Sequence, residues 1–254
     1  MVMLKRPSII YHLGTQGFIF ASSRIVTGPT IRHPGVVLIS LDGGAIDVGP
    51  ANAMSHLQAV LIPPRTQRVT QAVNVAMLSV NIHPICPAFP SLARVGDILP
   101  LDIAAFSGLQ ERMSLAHRGL LSVGEARKLF TQIVAIVLRQ LPPGHKPDQR
   151  ATVLQQLLVH EPDITMGALA ERMHMSYAGM SRLFSQIMGL PFRSYRLWQK
   201  SFNAFHRFST DMSMTELAHA AGFTDAAHLS REWKYWYGVP PGCMRNKRRV
   251  HIMG

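Results

Sequence analysis

The chain has 254 residues, 47% of them hydrophobic, and carries 26 Lys and Arg against 14 Asp and Glu, for a net charge of +12 with histidine neutral. That length allows two domains with real cores, and the basic balance suits an anionic partner such as nucleic acid. Two cysteines, Cys86 and Cys243, exclude a disulfide framework, and no Cys-His cluster has zinc spacing.

Charge does not separate the halves. Residues 1–145 hold 12 Lys and Arg against 6 Asp and Glu, and residues 146–254 hold 14 against 8, so each half carries +6. The opening MVMLKRPSIIYHLG lacks a long apolar core and a small-residue cleavage site. No stretch approaches the ~20 apolar residues of a membrane span. A cytoplasmic protein without membrane partners is expected.

Residues 1–100 are expected to be mostly β, a sandwich or a small barrel. Val36 to Leu41 is an apolar run, followed by Asp42-Gly43-Gly44 and then Ala45 to Val48, which signals a hairpin. Leu57 to Ile62 is another run, stopped by Pro63 and Pro64. Val73, Val75 and Met77 alternate; Leu78, Val80 and Ile82 then alternate one step out of phase, which marks a candidate bulge. His12, His33, His56 and His83 are scattered rather than clustered, so they are read as ordinary polar residues, with no metal and no cofactor.

Residues 101–141 turn helical. Leu109, Met113, Ala116 and Leu120 share one face, and Leu129, Ile133, Ile136 and Val137 another. Such a helical pair either packs on the barrel or joins two subunits, with Ile133 and Val137 as the candidate seam of a homodimer. Residues 142–149, rich in Pro and Gly, are the expected linker.

The C-terminal part writes one pattern twice. LAERMHMSYAGMSRLFSQIMGLP begins at Leu169, and LAHAAGFTDAAHLSREWKYWYGVPP at Leu217. The offset is 48 residues at Leu-Ala and 49 at Ser-Arg. One supersecondary unit made twice is implied, and its form is a helix-turn-helix. In the second copy Ser213 and Glu216 spell a capping box, Gly222 a turn, Thr224 an N-cap, and Leu229, Trp233 and Trp236 one buried stripe. In the first, Thr165 and Ser176 are caps, and Met180, Leu183, Phe184 and Ile187 are the stripe. Between the units, aromatic residues at helical spacing predict a joining helix over 192–208, roughly 25 Å long.

Residues 150–246 resemble the DNA-binding domain of the AraC/XylS family of bacterial transcription regulators. The resemblance rests on LAERM, SRLF and GLPFRSY in the first unit and on LAHAAGF, AAHLSREW and YGVPPGCMR in the second. It implies an all-α domain with two helix-turn-helix units in one monomer, touching two successive major grooves of double-stranded DNA. It also implies RNA polymerase as a partner, and a cupin-like N-terminal barrel that binds a small-molecule effector or dimerises. The face that the family points at bases falls on Ala178, Ser181 and Arg182 in the first unit and on Ala226, Ala227, His228 and Arg231 in the second. Lys200 stands in the joining helix where many members carry arginine.

Arginine is the strongest base reader here, because its fork pairs with guanine O6 and N7 together. The alanines offer only apolar contact, which leaves a sparse base code and a role for DNA shape. Arg182 and Arg231 can instead pair with carboxylates such as Glu171 or Glu232. His228 is a cap, a phosphate contact or a base reader. Residues 247–254 form a basic tail; Arg245, Lys247, Arg248 and Arg249 are either phosphate contacts or a solvated run. Two other classes stay open: a nonspecific architectural DNA binder, and an enzyme, either a metal cupin fused to a DNA anchor or a repair alkyl acceptor using Cys86.

Overall fold

The computed structural model describes residues 7–143, 149–208, 210–246 and 250–253. Eight strands fill the N-terminal part: β1 (Ser8–His12), β2 (Gly17–Ile31), β3 (Gly35–Ser40), β4 (Ile46–Gly49), β5 (Ser55–Leu57), β6 (Ala59–Ile62), β7 (Gln67–Ile82) and β8 (Leu99–Pro100). A short helix α1 (Phe89–Leu92) lies between β7 and β8. The sheet runs β8-β6-β3-β7-β2-β1. β3 and β4 lie end to end along the same edge of β7. Residues from both reach one cluster with Val60, Ile62, Ala72, Val75 and Met77, so the sheet curls over on itself around an apolar interior.

The sheet is buried on both faces, which explains its sequence pattern. Val36, Leu38, Val60, Ile62 and Met77 face the interior. Val37, Ile39, Leu61, Leu78, Val80 and Ile82 face the helices. The phase change therefore moves from the interior face of Val75 and Met77 to the helix-facing side of Leu78, Val80 and Ile82, while Val73 stays 48% exposed. A bulge accompanies it: β2 advances two residues from Ser22 to Arg24 while β7 moves four, from Met77 to Val73, and Asn74 takes a left-handed φ of 60°.

The expected hairpin at Asp42-Gly43-Gly44 does not form. β3 pairs with β6 and β7, and β4 with β5 and β7. The Asp42 carboxylate accepts from the Gly44 N–H at 3.1 Å, the Ser40 hydroxyl at 3.3 Å and the Ala76 N–H at 2.8 Å. Those bonds pin the turn against β7 and let the chain run on along the same edge of β7 instead of back along β3.

A 3-10 turn (Ile103–Leu109) leads into α2 (Gln110–His117) and α3 (Val123–Gln140). Ser122 and Glu125 close a capping box at the start of α3. Leu109, Met113 and Ala116 are buried, but Leu120 is 56% exposed. α2 has ended before it, and Gly119 turns the chain with φ 74°. Ile133 and Val137 are fully buried within the chain, among Leu129, Phe130 and the sheet. They are core residues and not a dimer seam.

Of the expected linker, residues 144–148 lie outside the described residues. Six helices follow: α4 (Gln149–His160), α5 (Met166–Arg172), α6 (Tyr177–Met188), α7 (Phe192–Phe205), α8 (Met214–Ala220) and α9 (Ala226–Tyr237). They share cores with the sheet. One cluster runs from Tyr11 and Ile19 through Phe89 and Leu92 to Leu154, Phe184 and Trp198. Another joins Ile10 and Phe18 of the sheet to Phe205, Phe223, Leu229, Trp233 and Trp236. The chain then returns: β9 (Val250–Met253) pairs in parallel with β1, from Ser8↔Val250 to Tyr11↔Met253. The sequence pattern, read as a basic tail, did not suggest this strand.

Candidate nucleic-acid interface

Each unit is built the same way. Thr165 caps α5 by accepting from the Ala168 N–H at 3.2 Å, and Ser213 caps α8 with Glu216 in a capping box. The turn after α5 passes through His174, φ 52°, and the turn after α8 through Gly222, φ 87°. In both, the next residue donates back into the first helix: Met175 N–H to the Ala170 carbonyl and Phe223 N–H to the Ala218 carbonyl, each 2.9 Å. The turns then differ. Ser176 caps α6, accepting from the Gly179 N–H at 3.2 Å. Asp225, not Thr224, caps α9, accepting from the His228 N–H at 2.6 Å. The second turn is one residue longer, which is why the repeat offset changes from 48 to 49.

Thr224 is displaced from the cap because the carboxylate is the stronger acceptor at the positive end of the helix. Its hydroxyl instead meets Asp225 Oδ2 at 3.3 Å and His228 Nδ1 at 3.0 Å. The His228 amide first, and Arg231 among the weaker influences, hold the Asp225 carboxyl below the usual carboxylate range.

The stripes expected in the core are there. Met180, Leu183, Phe184 and Ile187 are buried on α6, and Leu229, Trp233 and Trp236 on α9. Gly189 and Gly238 end the two helices in left-handed conformation. The opposite faces are open. Ala178 and Arg182 are exposed on α6, Ala227 and Arg231 on α9; Ser181, Ala226 and His228 are half-buried. Neither arginine forms an ion pair with a described carboxylate. Glu161 takes Arg172 at 2.9 Å and Asp163 takes Arg196 at 3.5 Å.

The exposed faces extend further than sequence reasoning placed them. Gln186 continues the i, i+4 row of Ala178 and Arg182, and Tyr235 continues that of Ala227 and Arg231. Tyr177 at the start of α6 is 64% exposed and Tyr235 is 52% exposed. Lys234 lies beside Tyr235 on the open side. Extending the four-residue spacing by one more turn would have found Gln186 and Tyr235.

The other cations are more occupied. Lys200 on α7 lies with its ammonium 6.0 Å from the Phe223 ring, and its stem covers Gly222. Arg245 donates to the Thr210 carbonyl at 2.7 Å. His228 meets Phe223 edge to face at 5.3 Å. Lys247, Arg248 and Arg249 lie outside the described residues. The joining helix α7 is 14 residues, about 21 Å, and shorter than expected, because the chain turns at His206 and tucks Phe208 against Trp233.

Residues 169–247 match the helix-turn-helix domain family. A 97-residue stretch is 33% identical to the transcriptional activator NphR of Rhodococcus sp, covering 37% of this chain. The C-terminal domain is similar to those of AraC/XylS-family regulators. The matched stretch spans about 28% of the length of that curated relative. The whole fold is similar to that of ToxT from Vibrio cholerae O395, over 92% of this chain and 94% of ToxT, with a TM-score of 0.54 and 11% identity. ToxT bound to (E)-4-(8-methylnaphthalen-1-yl)but-3-enoic acid gives the same score at 12% identity, over 88% of this chain and 95% of ToxT. At these identities the likeness to ToxT is one of fold: a sheet-rich N-terminal part with a helical C-terminal part.

Proposed function

We propose that this chain is an AraC/XylS-type, sequence-specific DNA-binding transcription regulator that sets α6 and α9 in successive major grooves. The observation carrying this is the pair of open faces in matched register, Ala178-Arg182 and Ala227-Arg231, each holding an arginine with no ion-pair partner among the described residues. Ser181, Ala226 and His228 border the same faces, and Lys200, Arg245, Lys247, Arg248 and Arg249 are the phosphate contacts of this proposal. Residues 142–149 divide a sensing part from the DNA-binding part 150–246. The protein acts in the cytoplasm, as an activator through RNA polymerase. No helix among the described residues is long and apolar enough to cross a membrane.

Effector sensing belongs to the same proposal. Acid-bound ToxT shares this fold, and here the sheet meets the DNA-binding helices across clefts of ligand size. An enzymatic role for Cys86 has no support in its surroundings: burial pushes the thiol up, away from the reactive thiolate.

Site selection with Arg182→Ala and Arg231→Ala tests the reading of bases. A bidentate arginine–guanine contact discriminates by roughly 1–3 kcal/mol, so each variant is expected to lose about tenfold or more on its cognate site and little on random DNA. Each relaxes one half of the site, about 10 base pairs from the other. Folded variants that select the parent's sequences would show that these arginines do not read bases. A parent that selects no consensus would favour an architectural binder.

A further inference from the structure

No Phe or Trp among the described residues is exposed, whereas two tyrosines are: Tyr177 on α6 at 64% and Tyr235 on α9 at 52%. The other three tyrosines are built into the fold. Tyr11 and Tyr195 are fully buried, and Tyr237 lies under the Arg32 guanidinium at 5.4 Å. No described residue hydrogen-bonds to the Tyr177 hydroxyl or stacks on its ring. A tyrosine contributes mainly through the area its ring buries, and within the chain this ring buries little.

The two open rings differ in their place along the helix. Tyr177 is the first residue of α6, directly after the Ser176 cap. Tyr235 is the tenth residue of α9, about 13.5 Å from that helix's start. The first residues of a helix set in the major groove reach base edges, and residues farther along meet the groove wall, where the phosphates lie. Ala178 beside Tyr177 and Ser181 one turn on are small, so neither covers the ring. In the second unit the matching place, 49 residues on, is held by Ala226. The ring therefore belongs to the first unit alone. Its surface is apolar, and the apolar feature of the major groove is the C5-methyl group of thymine.

We infer that Tyr177 is a specificity-determining residue, its ring packing against a thymine methyl in the half-site that α6 reads. The inference rests on the base-reading function proposed above and adds a contact to a code that Ala178 and Arg182 leave sparse. Tyr177 precedes Arg182 by five residues, about 7.5 Å along the helix. Base steps are about 3.4 Å apart, so its thymine lies within about two base pairs of the base that Arg182 contacts.

The experiment uses the full chain in site selection, as the parent and as Tyr177→Ala, Tyr177→Phe, Tyr235→Ala and Arg182→Ala. Tyr177→Ala, which gives the first unit the residue of the second, is expected to lose a thymine preference at one position and keep the rest of the site. Tyr177→Phe keeps the ring and is expected to keep the preference. Tyr235→Ala is expected to weaken all sequences alike and leave the consensus in place. Affinities for duplexes of the selected site then isolate the methyl group, because deoxyuridine at that position removes it and nothing else. The exchange is expected to cost the parent and Tyr177→Phe about threefold to fivefold, as for one buried methyl group, and Tyr177→Ala less than about 1.5-fold. The side chain is exposed, so thermal melts of both Tyr177 variants are expected to match the parent's. Four results each overturn the inference: Tyr177→Ala selecting the parent's thymines, deoxyuridine costing the parent and Tyr177→Ala the same, Tyr177→Phe relaxing the site as Tyr177→Ala does, or Tyr235→Ala relaxing the same position. If Arg182→Ala relaxes its half of the site while Tyr177→Ala changes nothing, base reading by α6 stands and the role of Tyr177 fails. A parent that selects no consensus overturns both.

Discussion

The two turns pose the same backbone problem and solve it with different residues. His174 takes φ 52° where Gly222 takes 87°. A side chain in the left-handed region costs about 1–2 kcal/mol, and glycine avoids this while giving up conformational freedom on folding. His174→Gly is therefore expected to stabilise the chain slightly, by about 0.5 kcal/mol. Gly222→Ala is expected to destabilise it by about 1 kcal/mol. A Cβ at Gly222 meets nothing nearer than the Lys200 stem at 3.6 Å, so that loss comes from the backbone alone. Gly189 differs: its Cβ would fall 2.5 Å from Ala93 Cβ, a contact with the N-terminal part. Gly189→Ala is expected to cost more than Gly222→Ala, by about 1 kcal/mol or more. Urea denaturation of the three variants gives the order; Gly189→Ala no worse than Gly222→Ala would mean that this close approach does not hold in solution.

At the scale of elements, what the sequence revealed followed from local chemistry. Ser213 and Glu216 could be read as a capping box because both partners lie within four residues, and the stripe Leu229-Trp233-Trp236 because period alone defines it. Pairing between distant strands left no such mark. Asp42 looked like hairpin chemistry, yet its carboxylate is committed to Ala76, 34 residues away. His12, His33 and His83 looked like scattered polar residues and are all buried where the sheet meets the DNA-binding helices. The open faces of α6 and α9 were legible as far as Arg182 and Arg231, and the same four-residue spacing reaches Gln186 and Tyr235 one turn further on. The α3 stripe was legible as apolar but silent on its partner. Since Ile133 is fully buried against the sheet and α3's own neighbours, Ile133→Glu places an unpaired charge in the core. A loss of at least about 4 kcal/mol is expected, seen as collapse of the thermal transition. A variant that stayed folded and only changed its sedimentation would return Ile133 to a subunit seam.

At the scale of the molecule, the contact between sheet and DNA-binding helices depends on histidines that are neutral in the folded chain. Burial lowers His12 to about 4, His33 to about 4 and His83 to about 3, from an ordinary value of 6.5. The nearest charged groups reinforce this: His206 and Arg127 beside His12, Arg65 beside His33, His12 and His206 beside His83. Among the described residues no carboxylate opposes it at any of the three. Because the folded values are depressed, the unfolded chain binds more protons below pH 6.5. The stability these rings contribute is complete above 6.5 and is lost as pH falls toward 4 and then 3. Between about pH 6 and 4.5 each ring adds up to about 1.4 kcal/mol per pH unit to the slope. This window lies above the range in which Asp42, held below the usual carboxylate range by its hydrogen bonds to Ala76, Gly44 and Ser40 despite partial burial, is protonated. Urea melts at steps from pH 7.5 to 4.5 are expected to show falling stability, with a shallower slope in His83→Phe. Two indoles report where the structure yields: Trp198 meets His83 at 5.2 Å and Trp236 meets His33 at 5.2 Å, both edge to face. Their fluorescence is expected to change over the same pH range, before far-UV dichroism does, because the imidazoles sit between the sheet and the helices and not inside either. A pH-independent stability between 7.5 and 4.5 would mean that these rings are solvated in the working protein and that sheet and helices are less closely joined than the shared cores indicate.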